Sequence, residues 1–376
     1  MRRLFFIKKR FSPHGGAENY MRTLMDRLKG EFEINVLSHA WVPTEGIRFH
    51  RVPVVNAGSY LSTATFNRNA CALLKELRSP CTVSFERTTC QDIYRAGEGC
   101  HAEWLAIRRR VEPFYKKISF SLNPLHRLLL SLERELFSST GLIIANSGMV
   151  KEQIIRHYGV REERITVIRN GVDLARFTPE NREKRRGEVR ERLGLRDGEK
   201  AVLFVGSGFR RKGLGTLMEA FALLKEPHRR LLVAGKGETR GYRALAEKRG
   251  ISGRVVFLGP YREIEGLYAA ADLFVLPTLY DPFSNATLEA MASGLPVVTT
   301  RSNGAAEIIG EGQEGYVPES LSDAREWAGR ISLALEECAA MGAKARKRAE
   351  AFSIDRAAGE FADVVRRGTD RGGAAA

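Results

Sequence analysis

The chain lacks several features, and each absence removes a class of function. No apolar run approaches the length of a bilayer span, so a membrane-spanning protein is not expected. The first apolar run, Leu4–Ile7, is far too short for the core of a secretory signal. The five cysteines, at 71, 81, 90, 100 and 338, are odd in number and show no Cys-x-x-Cys spacing. That argues against a zinc ribbon or a disulfide framework and fits a reducing cytosol. Together these absences lead us to expect a cytoplasmic protein. No Asp-x-Asp pair suggests a metal-bound donor, and neither half has Gly-x-Gly-x-x-Gly followed some twenty residues on by an acid. Internal repeats and low-complexity segments are also missing.

What is present is enough hydrophobic sequence for two cores. Of 376 residues 43% are hydrophobic, and 60 Lys and Arg face 45 Asp and Glu, a formal net charge of +15. Such a balance favours anionic partners without choosing among them. Strand-like runs at Leu4–Ile7, Glu33–Ser38, Cys81–Glu86 and Leu142–Ala145 alternate with helical periodicity. The pattern restarts at Ala201–Val205 and continues through Leu231–Ala234, Val255–Leu258, Leu273–Leu276 and Val297–Thr299. Alternation of this kind predicts α/β architecture: two doubly wound Rossmann-like domains facing across a cleft, with ligands at the carboxyl ends of the strands. We expect domains at 1–165 and 166–350, the switch falling near Arg164–Val167. Residues 351–376 would form a C-terminal helix able to cross back to the first domain, then a disordered tail. The charged stretch Pro179–Lys200 is expected to be a surface insertion.

The strongest chemical signal runs from Tyr280 to Val298. Pro282 breaks the chain after a strand, Ser284 or Asn285 caps a helix, and Gly294 ends it. First-turn amides of such a helix attract phosphate. Asp281 precedes the cap and Glu289 lies one turn inside, so two carboxylates can hold opposite ends of an extended ligand. A second signal, Gly206-Ser-Gly208-Phe-Arg-Arg211-Lys212-Gly213, joins a strand to a helix. It fails the Walker pattern because Leu214 stands where Lys is needed. It offers cations at a loop mouth, where they can stabilise developing charge without a metal.

The 280–298 segment resembles the acidic-x7-acidic motif of the family 4 retaining glycosyltransferases, whose fold is GT-B. The resemblance implies that Asp281 contacts hydroxyls of the transferred sugar and that Glu289 holds the nucleotide ribose. Phe283, Ser284, Asn285, Thr287 and Leu288 would surround the donor diphosphate. Arg211 and Lys212 match the family's Arg-Lys-Gly element, with Gly208 in the same loop. Asp281 departs from the more usual Glu by one methylene. Pro13-His14-Gly15-Gly16-Ala17-Glu18 is similar to the N-terminal loop whose glycines approach donor and acceptor. Around Asp92–Trp104 the chain is similar to bacterial lipopolysaccharide core glucosyltransferases of that family, which places Glu98 and His101 beside the reacting groups. Composition alone makes this stretch a turn feeding a helix. Arg169-Asn170-Gly171-Val172-Asp173 matches a family turn and is read as structural.

What the resemblance implies is a nucleotide-sugar donor, UDP-glucose by the best match, a saccharide or lipid-linked acceptor such as a lipopolysaccharide core heptose, no metal and no separate cofactor. Residues 106–136 interleave Arg108-Arg109-Arg110, Lys116-Lys117 and His126-Arg127 with aromatics and leucines. That is the pattern of an interfacial helix on an anionic inner-membrane surface, or of an ordinary amphipathic helix on a sheet. A nicotinamide-dependent oxidoreductase would need the missing glycine fingerprint. A basic membrane- or nucleic-acid-binding module would have no use for Asp281, Glu289, Arg211 and Lys212 in register, and no nucleic-acid partner is expected.

Overall fold

In the computed structural model, residues 2–10, 16–42, 44–113, 120 and 122–373 are described, the side chains of 16–19 and 370–373 excepted. The chain divides into two compact units, Met1–Asn170 with Ile354–Ala376, and Gly171–Ser353.

The first unit runs β1 (Arg2–Ile7), α1 (Gly16–Leu28), β2 (Phe32–Ser38), β3 (Ile47–Arg51), α2 (Gly58–Leu77), β4 (Thr82–Ser84), β5 (Ile93–Ala96), α3 (His101–Val111), α4 (Pro124–Ser139), β6 (Leu142–Ala145), α5 (Gly148–Tyr158) and β7 (Ile165–Val167). The strand order is β3-β2-β1-β4-β5-β6-β7, parallel throughout. Leu4, Phe6, Ile34, Val36 and Val83 are buried in its core. A parallel sheet covered on both faces requires such continuous apolar strands.

The second unit runs α6 (Glu180–Arg192), β8 (Lys200–Val205), α7 (Leu214–Leu223), β9 (Arg229–Ala234), α8 (Arg240–Lys248), β10 (Val255–Gly259), α9 (Ile264–Ala270), β11 (Leu273–Leu276), α10 (Asn285–Ala292), β12 (Val297–Thr299), β13 (Gly315–Tyr316), α11 (Ala324–Glu336) and α12 (Cys338–Ala349). Its order is β10-β9-β8-β11-β12-β13, again all parallel. The chain then returns to the first unit as α13 (Ile354–Gly373), whose Phe361, Val364 and Val365 join the core of β1, β2 and β4.

Four expectations are corrected. The stretch 164–167 is not the domain switch: β7 pairs with β6 in the first sheet, and the division falls between Asn170 and Gly171. Pro179–Lys200 is not a loose insertion. Arg182, Arg186 and Arg190, spaced four apart, form one stripe of α6. They converge on the buried Asp272 and on the terminal carbonyls of α9 at Ala269, Ala270 and Ala271. Cations at a helix C-terminus satisfy its orphan carbonyls, so charge, together with the buried Val189, docks this helix. Residues 368–373 of the expected disordered tail are helical. Finally, Cys71 of α2 and Cys90 beyond β4 form a disulfide, their Cα atoms 5.5 Å apart. The return of the chain from α2 into β4 brings together two cysteines that the spacing gave no reason to pair.

Candidate functional site

In the second sheet the strand order reverses between β8 and β11, the switch point at which open α/β sheets bind ligands. The loops that follow these two strands meet there. Gly213 makes the approach possible. Its φ is +77°, and a Cβ would lie 1.7 Å from the Pro277 carbonyl oxygen. The backbone amide of Leu279 and the Thr278 hydroxyl both donate to the Arg211 carbonyl, at 2.8 and 3.1 Å. The Arg211 guanidinium donates to the Tyr280 carbonyl at 2.8 Å. Lys212 lays its stem against Gly206 and pairs its ammonium with the Asp281 carboxylate. Their side chains are only 12% and 10% exposed, so each charge depends on the other. Gly208, at φ +74°, turns the loop, its amide donating to the Lys236 carbonyl.

Ser284 is the cap of α10, its hydroxyl accepting from the Thr287 amide at 3.3 Å. The Ser284 carbonyl accepts from Leu288 at the same distance. The amides of Thr287 and Leu288, expected at the diphosphate, thus already have acceptors in this structure. The Phe283 ring is buried in the core of the second unit. Asn285 opens the helix and is half-buried. Behind the cap, Asn303 is fully buried and holds four groups. Its carbonyl oxygen accepts from the amides of Ser284 and Ala305, and its amide nitrogen donates to Thr287 and Thr299. Sequence reasoning missed it, although Asn303-Gly304 is a turn signal. Glu289, one turn on, accepts from the Tyr268 hydroxyl at 2.9 Å. Burial pushes its carboxyl above the ordinary range, against the pull of Tyr268 and Arg176.

In the first unit the Glu98 carboxylate receives Arg87 at 2.6 Å and lies 3.9 Å from Lys8. Desolvation raises its pKa, but these two cations outweigh it and hold the carboxyl below its usual value. The unexpected centre is Glu133, fully buried on α4. It accepts from Arg87 at 2.8 Å, from the amides of His101 and Ala102 at 2.6 and 3.3 Å, and from the Tyr158 hydroxyl at 2.5 Å. Glu133 therefore caps α3 from a distance, where Cys100 supplies no side-chain cap. His101 Nε2 lies 3.0 Å from His126 Nδ1. Burial, with Arg87 beside it, lowers the His101 pKa to about 4, so its ring is neutral near pH 7. Gly16 opens α1, while Pro13, His14 and Gly15 lie outside the described residues. Asn170 accepts from buried Arg95 at 2.5 Å, and Asp173 accepts from two following amides, both structural roles. Within 106–136, the Arg108 guanidinium stacks 4.0 Å from the Phe120 ring, while Lys116 and Lys117 lie outside the described residues. Among the described residues, no cluster of three or more His, Cys, Asp or Glu is arranged to hold a metal ion, and no helix is long and apolar enough to cross a membrane.

Two doubly wound units with a cationic loop and paired carboxylates at a switch point define a nucleotide-dependent transferase of the GT-B class. Comparison with known proteins agrees. The model for glycosyl transferases group 1 matches residues 185–350, and that for Glycosyltransferase Family 4 matches 14–176. The two glycosyltransferase models together span most of the chain, the second of them that of Glycosyltransferase Family 4. It is 28% identical over 321 residues to the lipopolysaccharide glucosyltransferase WaaG of Escherichia coli (strain K12), covering 83% of this chain and 84% of that protein. The crystal structure of WaaG, a glycosyltransferase involved in lipopolysaccharide biosynthesis, superposes with a TM-score of 0.84 at 26% identity, over 96% of this chain and 99% of that one. The Anabaena protein Alr3699/HepE, solved in complex with UDP-glucose, shares the fold at 20% identity and a TM-score of 0.74, over 98% of this chain and all of the other.

Proposed function

We propose that the protein transfers glucose from UDP-glucose to a saccharide acceptor of the lipopolysaccharide-core type, with retention at the anomeric carbon and without metal or cofactor. The observation that carries this reading is the meeting of Arg211, Lys212 and Asp281 at the β8/β11 switch point, with Glu289 one turn into α10. As the bond from the anomeric carbon to the diphosphate breaks, negative charge grows on the leaving oxygens. Preorganised cations stabilise that charge more than the ground state, which lowers the barrier. Asp281 then accepts from donor-sugar hydroxyls and Glu289 from the ribose. The acceptor hydroxyl attacks from the face the diphosphate leaves, and its proton passes to a leaving phosphate oxygen, so no protein nucleophile is needed. On the first unit, Glu98 and neutral His101 orient the acceptor. Residues 106–136 supply the basic, apolar-flanked segment for an anionic inner-membrane surface.

The test is transfer from UDP-glucose to a heptose-bearing core oligosaccharide in excess EDTA, with the product linkage read by NMR. An α-linked glucoside is the expected product. A β-linked product would overturn retention, and dependence on added divalent metal would overturn the metal-free step.

A further inference from the structure

The first sheet has its own switch point, between β1 and β4. There, beside the Glu98 cluster, lies a cavity of ≈ 430 Å³ whose lining includes Lys8, Lys9, Arg10, Ser59, Ser62 and Glu86. Lys8, Lys9 and Arg10 are consecutive cations on its wall, and Lys8 is paired with Glu86 at 3.0 Å and lies 3.9 Å from Glu98. The Lys9 ammonium donates to the Thr63 hydroxyl at 3.3 Å. Its backbone is locked by hydrogen bonds from Ser38 and His39 to its carbonyl and from its amide to Glu86, so the side chain cannot swing away with the loop. Ser62 is 6% exposed and lines the cavity, where its hydroxyl can donate to an entering acceptor. The cavity also adjoins the start of α2, where Ala57 provides no side-chain cap for the first-turn amides.

We propose that this cavity binds an oxyanion carried by the acceptor saccharide, a phosphate ester or a sugar carboxylate, through Lys9, Arg10 and the Ser62 hydroxyl. The proposal rests on the transferase reading and narrows its acceptor to an acidic saccharide. Lys8 and Glu86 form the wall that fixes the cations. Burial lowers the Lys9 pKa against the pull of Glu86 and Glu98, with Arg10 adding to the fall, and an arriving anion raises it, so binding takes up protons at alkaline pH.

Calorimetric titration of the full chain with glucose 6-phosphate, glucuronate and methyl glucoside, at saturating UDP, tests this. We expect saturable binding of at least one acidic sugar and at least tenfold weaker binding of methyl glucoside. Lys9→Ala and Arg10→Ala should each weaken the acidic sugar about tenfold, and Ser62→Ala about threefold, with UDP affinity unchanged. The stronger of the two acidic sugars identifies phosphate or carboxylate as the group recognised. Equal binding of neutral and acidic sugars, or variants with unaltered affinity, would overturn the proposal. So would a loss confined to anionic phosphatidylglycerol vesicles, which would make the patch a lipid contact. Absence of UDP binding with the acidic-sugar site intact would instead overturn the transferase reading and leave the cavity's ligand class standing.

Discussion

The candidate residues of the two units are held by opposite means. In the second unit, short glycine-bearing turns bring backbone against backbone, and the charged side chains ride on them. Gly213 lets the 206–213 loop touch Pro277, and Lys212 and Asp281 meet as a result. In the first unit, Glu98 and His101 are held by side chains from distant elements that gather on one buried carboxylate, Glu133. Backbone-built sites place their chemistry in contiguous motifs. Hub-built sites scatter it and are more exposed to the loss of one residue.

The largest test of that contrast is Glu133→Ala. It removes one of the two carboxylates on the Arg87 guanidinium, whose side chain is 11% exposed and which keeps Glu98, and it uncaps α3. Removing one partner of a buried pair costs about 3–5 kcal/mol. Urea unfolding should show a loss of that size, against a loss within about 0.5 kcal/mol for exposed Glu163→Ala. A loss of Glu133 no larger than that of Glu163 would break the hub description.

Next comes Lys212→Ala. It should lower kcat by about 10²–10³-fold in a steady-state transfer assay, as for removal of one preorganised charge-stabilising group. A change confined to KM would deny it a role in the reaction's rate. Gly213→Ala sharpens the backbone side of the comparison. A left-handed φ with a Cβ forced onto a carbonyl costs about 1–3 kcal/mol, measurable as a lower Tm. The same change at exposed Gly250, also at positive φ but with open space around its Cβ, should cost less.

Smaller still is Glu289→Gln, expected to weaken UDP binding about tenfold by removing a charged acceptor. Because the Glu289 carboxyl sits above its ordinary value, the ionised form is lost at higher pH than for a free acid. UDP affinity of the wild type should therefore begin to fall before pH drops to about 4.5, and the Gln variant should lack that fall. The smallest effect at neutral pH belongs to His101. Its folded pKa of about 4 lies below the unfolded value near 6.5, so its neutral form adds stability above pH 6.5 that is lost between 6.5 and 4. His101→Asn should flatten unfolding free energy against pH in that window.

Much of the fold was legible in the sequence. The strands at 142–145, 273–276 and 297–299 fall where the apolar runs place them. The strands not expected each have a physical reason. β5 carries buried Arg95, β3 alternates charge at a sheet edge, β7 has three residues and β13 two. In the site, Asp281, Glu289, Arg211 and Lys212 stood out because each lies in a strand–loop–helix junction with turn residues around it. Glu133 did not, since a Glu within Leu132-Glu133-Arg134-Glu135 looks like any exposed helical acid until its donors, up to 46 residues away, are seen. Tyr268 and Asn303 were hidden in the same way. The α6 stripe was misjudged because docking through arginines leaves no apolar periodicity to see.

The most direct measurement is calorimetric titration of the protein with UDP and UDP-glucose in excess EDTA, with Glu289→Ala alongside. Saturable binding of both ligands to the wild type, with the variant at least tenfold weaker, is the predicted result. Binding that appears only when a divalent metal is added, or that the variant leaves untouched, would contradict a metal-free donor site built on the β8/β11 switch point.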